Sequence, residues 1–311
     1  METFLHSVSS VTVILVLTAV GYFCSAAGWI GPETKSFLSK YTMRLALPIM
    51  CAYSIRSNLT LDLLAGSGAL LAVPAVCSAT LLLVSYGVGK LMRLHEKTLS
   101  VFTVMCSLSN SMFIGYAMCY ELFGEPCTPY VMIYYLVNTS FMQLVGLTLI
   151  RRSGESGGHS VAQSIAAFFK TPPVIGVIVG VALVVLDLHP PAIVMSCAKY
   201  INNTVTPIAL LLSGHIIREI GIRNIRVDKK MSVAMIFRFL LSPALSMLMC
   251  IPLGVGSLGR SVLAVEAAMP VVTMTVVAAS EYGADEQFAA QGVALSTLAC
   301  FVVTPVLMVL L

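Results

Sequence analysis

Apolar runs about twenty residues long follow one another along almost the whole chain. About twenty residues of α-helix cross the hydrocarbon core of a bilayer, whereas the strands of a membrane barrel are short and alternate in polarity. Charged residues make up only 10% of the sequence, against about 25% in an average soluble domain. The chain is therefore predicted to be an all-α integral membrane protein.

We predict ten transmembrane helices. The first apolar run lacks the basic start of a cleavable signal peptide and continues to residue 30, so we expect it to remain as a span. The predicted spans are residues 7–30, 36–57, 62–91, 98–120, 128–150, 164–186, 190–217, 231–255, 261–280 and 286–311.

The two halves of the sequence resemble each other weakly at a shift of about 159 residues. This predicts two five-helix repeats, residues 1–150 and 164–311, joined by a polar, glycine-rich cytoplasmic connector at 151–163. Because five is odd, the second repeat would be inverted in the membrane. The aligned pairs are Gly21 with Gly180, Pro48 with Pro207, Ser111 with Pro270, Gly124 with Gly283 and, at a shift of 158, Asn138 with Ser296.

Lysine and arginine concentrate in the odd-numbered loops between the predicted spans, and the even-numbered loops hold little beyond Arg56, Lys199 and Arg260. The positive-inside rule then places the odd loops in the cytoplasm and both termini outside. We accordingly predict a multi-pass protein of the cytoplasmic membrane. The formal net charge of +4 comes from these loops and does not indicate a nucleic-acid partner.

Two of the predicted spans, the fourth and the ninth, are interrupted near their middle. Residues 107–111 read Ser-Leu-Ser-Asn-Ser, and serine and asparagine favour turns and caps over helix interiors. Pro270 interrupts the ninth span because proline lacks an N–H and clashes with the preceding turn. Interrupted helices at matching places in two halves mark the binding site of a transporter. Inversion would bring both breaks together near the membrane midplane.

A broken helix presents free N–H groups that carry a partial positive charge, and such ends bind anions. We therefore predict an anionic substrate such as a carboxylate. The alternative is structural, with Pro270 kinking its helix and the serines bonding back to theirs. The residues predicted to bind or line the site are Asn110, Ser111, Met269, Pro270, Val271 and Thr273, with Asn138, Thr139, Thr275, Ser296 and Thr297 as polar mid-span residues that could instead form interhelical hydrogen bonds.

Glu266 is the only acidic residue well inside a predicted span. A carboxyl at this depth costs about 2.5–3.5 kcal/mol on insertion scales, and burial disfavours its charged form, so Glu266 could couple transport to protons. The alternative is a neutral Glu266 that ties a neighbouring helix through one hydrogen bond. For Arg44 and Arg238 we expect the side chains to snorkel to the membrane surface.

The sequence indicates neither an enzyme nor a metal or cofactor site. Cysteines and histidines occur singly and without the spacing of metal ligands. Walker loops, His-Glu-x-x-His and Gly-x-Ser-x-Gly motifs and paired intramembrane aspartates are all missing.

Several motifs together resemble one family. They are Glu266-Ala-Ala-Met-Pro270, Glu281-Tyr-Gly283 and Leu295-Ser-Thr297 in the second half, with Asn110-Ser-Met-Phe-Ile-Gly115 and Leu136-Val-Asn-Thr139 in the first. These segments resemble the bacterial branch of the auxin efflux carrier family, and the similarity covers essentially the whole chain.

The resemblance implies ten helices in two inverted repeats, with helices four and nine crossing at breaks around Asn110 and Pro270. Helices one, two, six and seven would form a scaffold, often dimeric, and the others a transport domain that moves like an elevator. Family substrates are organic acids, including auxin, malate and malonate. Unlike plant members, this chain has a short central connector and no acidic residue inside its third span, between Asp62 and Lys90.

These observations predict a secondary transporter of small mono- or dicarboxylates, working by elevator-type alternating access, with proton or sodium coupling. Its partners would be the organic acid, the lipid bilayer and a second copy in a homodimer. Two alternatives remain open: a membrane sensor or scaffold of the same fold that transports nothing, and a sodium-coupled carrier like the bile-acid symporters.

Overall fold

The computed structural model describes residues 2–59, 67–154, 169–221 and 225–311. These residues are predominantly helical and contain no β-strand. The predicted connector is described only as far as residue 154, and the first residues of the predicted spans 62–91 and 164–186 lie outside the described part. The predicted all-α class is therefore confirmed for the residues that the structure describes.

The described residues form α-helices of very different lengths. In chain order these are α1 (Glu2–Ala26), α2 (Pro32–Tyr41), α3 (Leu47–Asn58), α4 (Ser67–Leu91), α5 (Glu96–Ser107), α6 (Tyr116–Phe123), α7 (Thr128–Phe141), α8 (Leu147–Ser153), α9 (Pro172–Val185), α10 (Ala192–Ile220), α11 (Lys229–Ile236), α12 (Ser242–Cys250), α13 (Ser257–Ala267), α14 (Met274–Tyr282) and α15 (Glu286–Leu310).

Three pairs of consecutive helices are continuous rods joined by a wide π-helical turn. The turns are Thr42–Ala46 between α2 and α3, Met142–Gly146 between α7 and α8, and Phe237–Leu241 between α11 and α12. Pro48 and Pro243 each follow such a turn by two residues. Because proline cannot donate to the preceding turn and collides with it, a wider turn relieves the clash. Pro207, by contrast, lies inside an uninterrupted α10.

Length and apolar composition make four of the described helical segments able to cross a membrane. Two further segments are apolar but shorter. The four long segments are Gly68–Leu91, Glu125–Ser153, Lys229–Cys250 and Glu286–Leu310, and the shorter ones are Val11–Ala26 and Pro172–Val185.

The helices pack in two groups. In one group α1 lies along α10 and α3 lies along α9, and in the other α4 packs on α5, α7 and α12, and α12 on α13. The α1–α10 contact is backbone to backbone: a Cβ atom at Gly214 would collide with the Thr18 carbonyl, and one at Gly21 with Leu211. The groups meet mainly where α15 and α6 pack on α1 and where α7 packs on α3.

Candidate functional site

Both predicted interruptions are present as breaks in the helical backbone. The first break separates the end of α5 at Ser107 from the π-helical turn Ser111–Gly115 that leads into α6. The second separates the end of α13 at Ala267 from the start of α14 at Met274. Each break therefore lies between the carboxyl end of one half-helix and the amino end of the next.

The two breaks meet and hydrogen-bond to each other. Ser109 and Val271 form an isolated antiparallel β-bridge. On one side of the bridge the backbone N–H of Asn110 donates to the Pro270 carbonyl at 2.7 Å. On the other side the backbone N–H of Val272 donates to the Leu108 carbonyl at 3.4 Å. The two bonds are related by a local two-fold axis, and we use the term crossing for residues 108–111 and 269–272.

Side chains from two neighbouring helices satisfy the backbone that the breaks leave exposed. Asn138 of α7 accepts from the Ser109 amide at 3.1 Å through Oδ1 and donates to the Ser109 carbonyl at 2.7 Å through Nδ2. Ser296 of α15 accepts from the Val271 amide at 3.0 Å. Buried backbone groups need such partners, so these two side chains hold the broken segments in place.

After the first break the helix resumes with the turn Ser111–Gly115 and α6, which we together call the first resumed helix. Asn110 and Ser111 lie at its amino end, and both are buried. The Asn110 Oδ1 caps that end by accepting from the Phe113 amide at 3.3 Å, and the Ser111 hydroxyl accepts from Asn138 at 3.4 Å. The first amides of a helix have no acceptor within the helix itself. This end thus combines a partial positive charge with two polar side chains.

The remaining predicted site residues divide into two groups. Met269, Pro270 and Val271 are buried in the crossing itself. Thr273 lies at the start of α14, whereas the Thr297 hydroxyl bonds to the Val293 carbonyl of its own helix at 2.7 Å. The Thr297 hydroxyl is therefore engaged within α15.

Glu266 is completely buried one residue before the end of α13. Its Oε1 accepts a weak bond from the Cys119 thiol at 3.5 Å, and its Oε2 has no partner. A Cβ atom at Gly115 would lie 2.5 Å from Oε2, so the carboxyl is packed against the first resumed helix. Among the described residues no basic side chain lies within ion-pair distance of it.

The prediction that Arg238 snorkels to the membrane surface was wrong. Arg238 is completely buried in the turn Phe237–Leu241, where its Nη2 donates to the Ala267 carbonyl and to the Ser242 hydroxyl. The neighbouring Phe237 is also buried, and its ring packs edge-on against Phe102 of α5. One signal in the sequence pointed to this burial, because Arg238 lies seven residues inside the predicted span 231–255.

Tyr134 is a residue next to the crossing that the sequence analysis did not single out. Its hydroxyl accepts from the Ser109 hydroxyl at 3.2 Å and lies next to the Arg238 guanidinium, with which it interacts electrostatically. Two surface grooves formed by described residues are apolar, and neither includes a residue of the crossing. Residues 108–111 and 269–271 of the crossing are themselves buried.

Comparison of the sequence with known proteins places this chain in a family. Residues 6–308 match the membrane transport protein family. The chain is 24% identical to an uncharacterized transporter of Methanocaldococcus jannaschii over 92% of this chain and 93% of the relative. It is 26% identical to an uncharacterized transporter of Methanothermobacter thermautotrophicus over 99% of each chain. The protein therefore belongs to the membrane transport protein family, the auxin efflux carrier family that its motifs resemble.

Proposed function

We propose that this protein is a secondary transporter that carries small organic anions, mono- or dicarboxylates, across the cell membrane by alternating access. The observation that carries the proposal is the crossing, where two broken helices are hydrogen-bonded to each other inside the protein. Non-helical backbone at membrane depth is tolerated where it is buried in protein or lines a cavity, and transporters build their binding sites from it.

In this proposal the residues of the crossing have two kinds of role. Asn110, Ser111 and the backbone of 269–271 contact the carboxylate, because the amino end of the first resumed helix attracts an anion. Asn138 and Ser296 are positioning residues, since their side chains are already bonded to Ser109 and Val271.

Glu266 is the proposed proton carrier. Its carboxyl is buried next to the crossing, and one of its oxygens has no hydrogen-bond partner. Among the described residues, no cationic side chain lies within ion-pair distance of it. A group in this situation favours its neutral form, so binding or releasing a proton would change the charge of the transport domain during the cycle. Sodium is the alternative coupling ion.

The architecture that we propose is ten helices in two inverted repeats, with both termini outside. The aligned Gly124 and Gly283 support it, since both end a half-helix with a φ of +71°. The two packing groups support an elevator, in which the α1, α3, α9 and α10 group would be the scaffold and homodimer contact. The crossing belongs to the other group and would move with it.

Uptake of labelled carboxylates into proteoliposomes tests the proposal. Acetate, malonate, malate and indole-3-acetate would be offered under imposed proton or sodium gradients, with wild type, Asn110→Ala and the control Asn203→Ala, an exposed amide of α10. We expect flux of one acid that Asn110→Ala abolishes and Asn203→Ala preserves. Binding of an acid without flux in any gradient would support a sensor, and flux unchanged in Asn110→Ala would refute the assigned site.

A further inference from the structure

Arg238 is a permanent positive charge buried among the helices that hold the crossing. Its side chain has zero exposure, and a guanidinium does not lose its proton in a protein. No carboxylate of the described residues lies within ion-pair distance of it. Removing a charge from water is costly unless a partner compensates it. The missing partner is therefore the feature to be explained.

The bonds of Arg238 place its guanidinium beside both breaks. Its Nη2 donates to the carbonyl of Ala267, the last residue of α13 before the second break. The Tyr134 hydroxyl next to the guanidinium accepts from Ser109 in the first break. The charge thus adjoins the crossing from the side of α7 and α12.

These contacts leave most of the hydrogen-bonding capacity of Arg238 unused. Its two Nη2 donors are engaged by Ala267 and Ser242, whereas Nε and Nη1, which carry the other three N–H bonds, have no partner. The carbonyl end of α13 offers a partial charge of about −0.5. It therefore compensates only part of the charge, and a carboxylate, with a full charge and several lone pairs, would complete it.

Glu266 does not fill this role, although it directly precedes Ala267. Its carboxyl packs against Gly115 and the Cys119 thiol and forms no ion pair with Arg238. The two buried ionisable groups are therefore not paired with each other, and each keeps an unpartnered atom.

We propose that Arg238 is the counter-charge of the transported anion and the residue that makes the site prefer a carboxylate to its neutral amide. This inference rests on the proposed function, since it assigns a partner to the same anion. The amino end of the first resumed helix supplies partial charge and hydrogen bonds, and Arg238 supplies the full charge. The carboxylate group would use the free Nε or Nη1 donors once the crossing opens.

The test measures ligand binding by purified full-length protein as stabilisation against heating in detergent. The probes are acetate, malonate, malate and indole-3-acetate, each compared with its neutral amide. The variants are Arg238→Gln, Arg238→Lys and Arg56→Gln. Arg56 is the matched control. Its Nε also donates to a backbone carbonyl, that of Leu188, but this bond is exposed at the protein surface and involves no residue of the crossing.

We expect wild type to bind at least one carboxylate at least about 30-fold more tightly than its amide, the lower range for a buried charge pair. Arg238→Gln should reduce that preference to within about threefold, whereas Arg56→Gln should preserve it. Arg238→Lys should keep the preference with weaker affinity, because lysine retains the charge without the planar donors.

Each other outcome overturns a defined part of the argument. If Arg238→Gln melts at a lower temperature but keeps the full preference, Arg238 only caps α13 and the proposal fails while the proposed function stands. If the Gln variant does not fold, equal binding of carboxylate and amide by wild type overturns it instead. Stabilisation of wild type by none of the acids would overturn the proposed function together with this inference.

Discussion

The Asn138 side chain holds both backbone groups of Ser109 in the first break, so Asn138→Ala should destabilise the protein strongly. The substitution removes an acceptor at 3.1 Å and a donor at 2.7 Å and leaves a buried N–H and a buried C=O without partners. Each unsatisfied group costs about 1–3 kcal/mol. The expected loss is therefore about 2–6 kcal/mol, before any contribution from the cavity.

Asn202→Ala is the matched control. Asn202 is also a buried asparagine in a helix, but its Oδ1 has no partner and its Nδ2 bonds only to the side chain of the neighbouring Asn203 at 3.3 Å. Losing that one bond costs about 0.5–1.5 kcal/mol. No backbone group at the crossing depends on it.

Thermal unfolding of both variants in detergent, together with uptake in proteoliposomes, measures the difference. At about 2–4 °C per kcal/mol, a loss of about 2–6 kcal/mol should lower the melting temperature of Asn138→Ala by at least about 4 °C relative to wild type. We expect Asn202→Ala to stay closer to wild type and to retain flux. Equal losses in melting temperature for the two variants would show that the Ser109 contacts carry no special weight.

Three further perturbations test other parts of the structure. If Glu266 carries a proton with the anion, uptake should rise as the outside pH falls, and Glu266→Gln should abolish that slope in proteoliposome flux; an unchanged slope would contradict the role. Gly214→Ala should lower the melting temperature because its Cβ collides with the Thr18 backbone, whereas Gly87→Ala, which has open space in α4, should be neutral or stabilising by up to about 1 kcal/mol; the reverse order would argue against close packing of α1 on α10. Gly115→Ala should cost about 1–3 kcal/mol by crowding Glu266, and adding Glu266→Ala should recover at least about 0.5 kcal/mol in a double-mutant cycle of melting temperatures; strict additivity would refute the contact.

The breaks were predictable because their causes are local. Residue types that compete with helix hydrogen bonds hold four of the five positions 107–111, and Pro270 cannot donate such a bond. The repeat predicted the register between the two breaks only approximately. The alignment set Ser111 against Pro270, a shift of 159 residues, whereas the structure sets Ser109 against Val271, a shift of 162 (271 − 109). This difference of three residues is decided by packing at the crossing, which no local pattern encodes.

The surroundings of Arg238 were not predictable from its own neighbours in the sequence. Snorkelling is the general expectation for an arginine in an apolar run. It fails here because the wide turn Phe237–Leu241 directs the side chain to the Ala267 carbonyl, 29 residues away. The later Pro243 is a local cause of such a turn, but the carbonyl that receives the side chain exists only because a distant helix ends there.

In both breaks, backbone groups that lack helical partners bond to a side chain of a neighbouring helix, but the number of bonds differs between the breaks. This difference bears on how the crossing could move. Asn138 offers Ser109 both an acceptor and a donor, whereas Ser296 offers Val271 one acceptor. The first break is therefore held by more bonds from its neighbouring helix than the second. None of these bonds belongs to a continuous helical ladder, so the breaks can separate without unwinding α5 or α13. A site that must bind and release an anion needs this property, and the less firmly held second break is where we expect the rearrangement to begin.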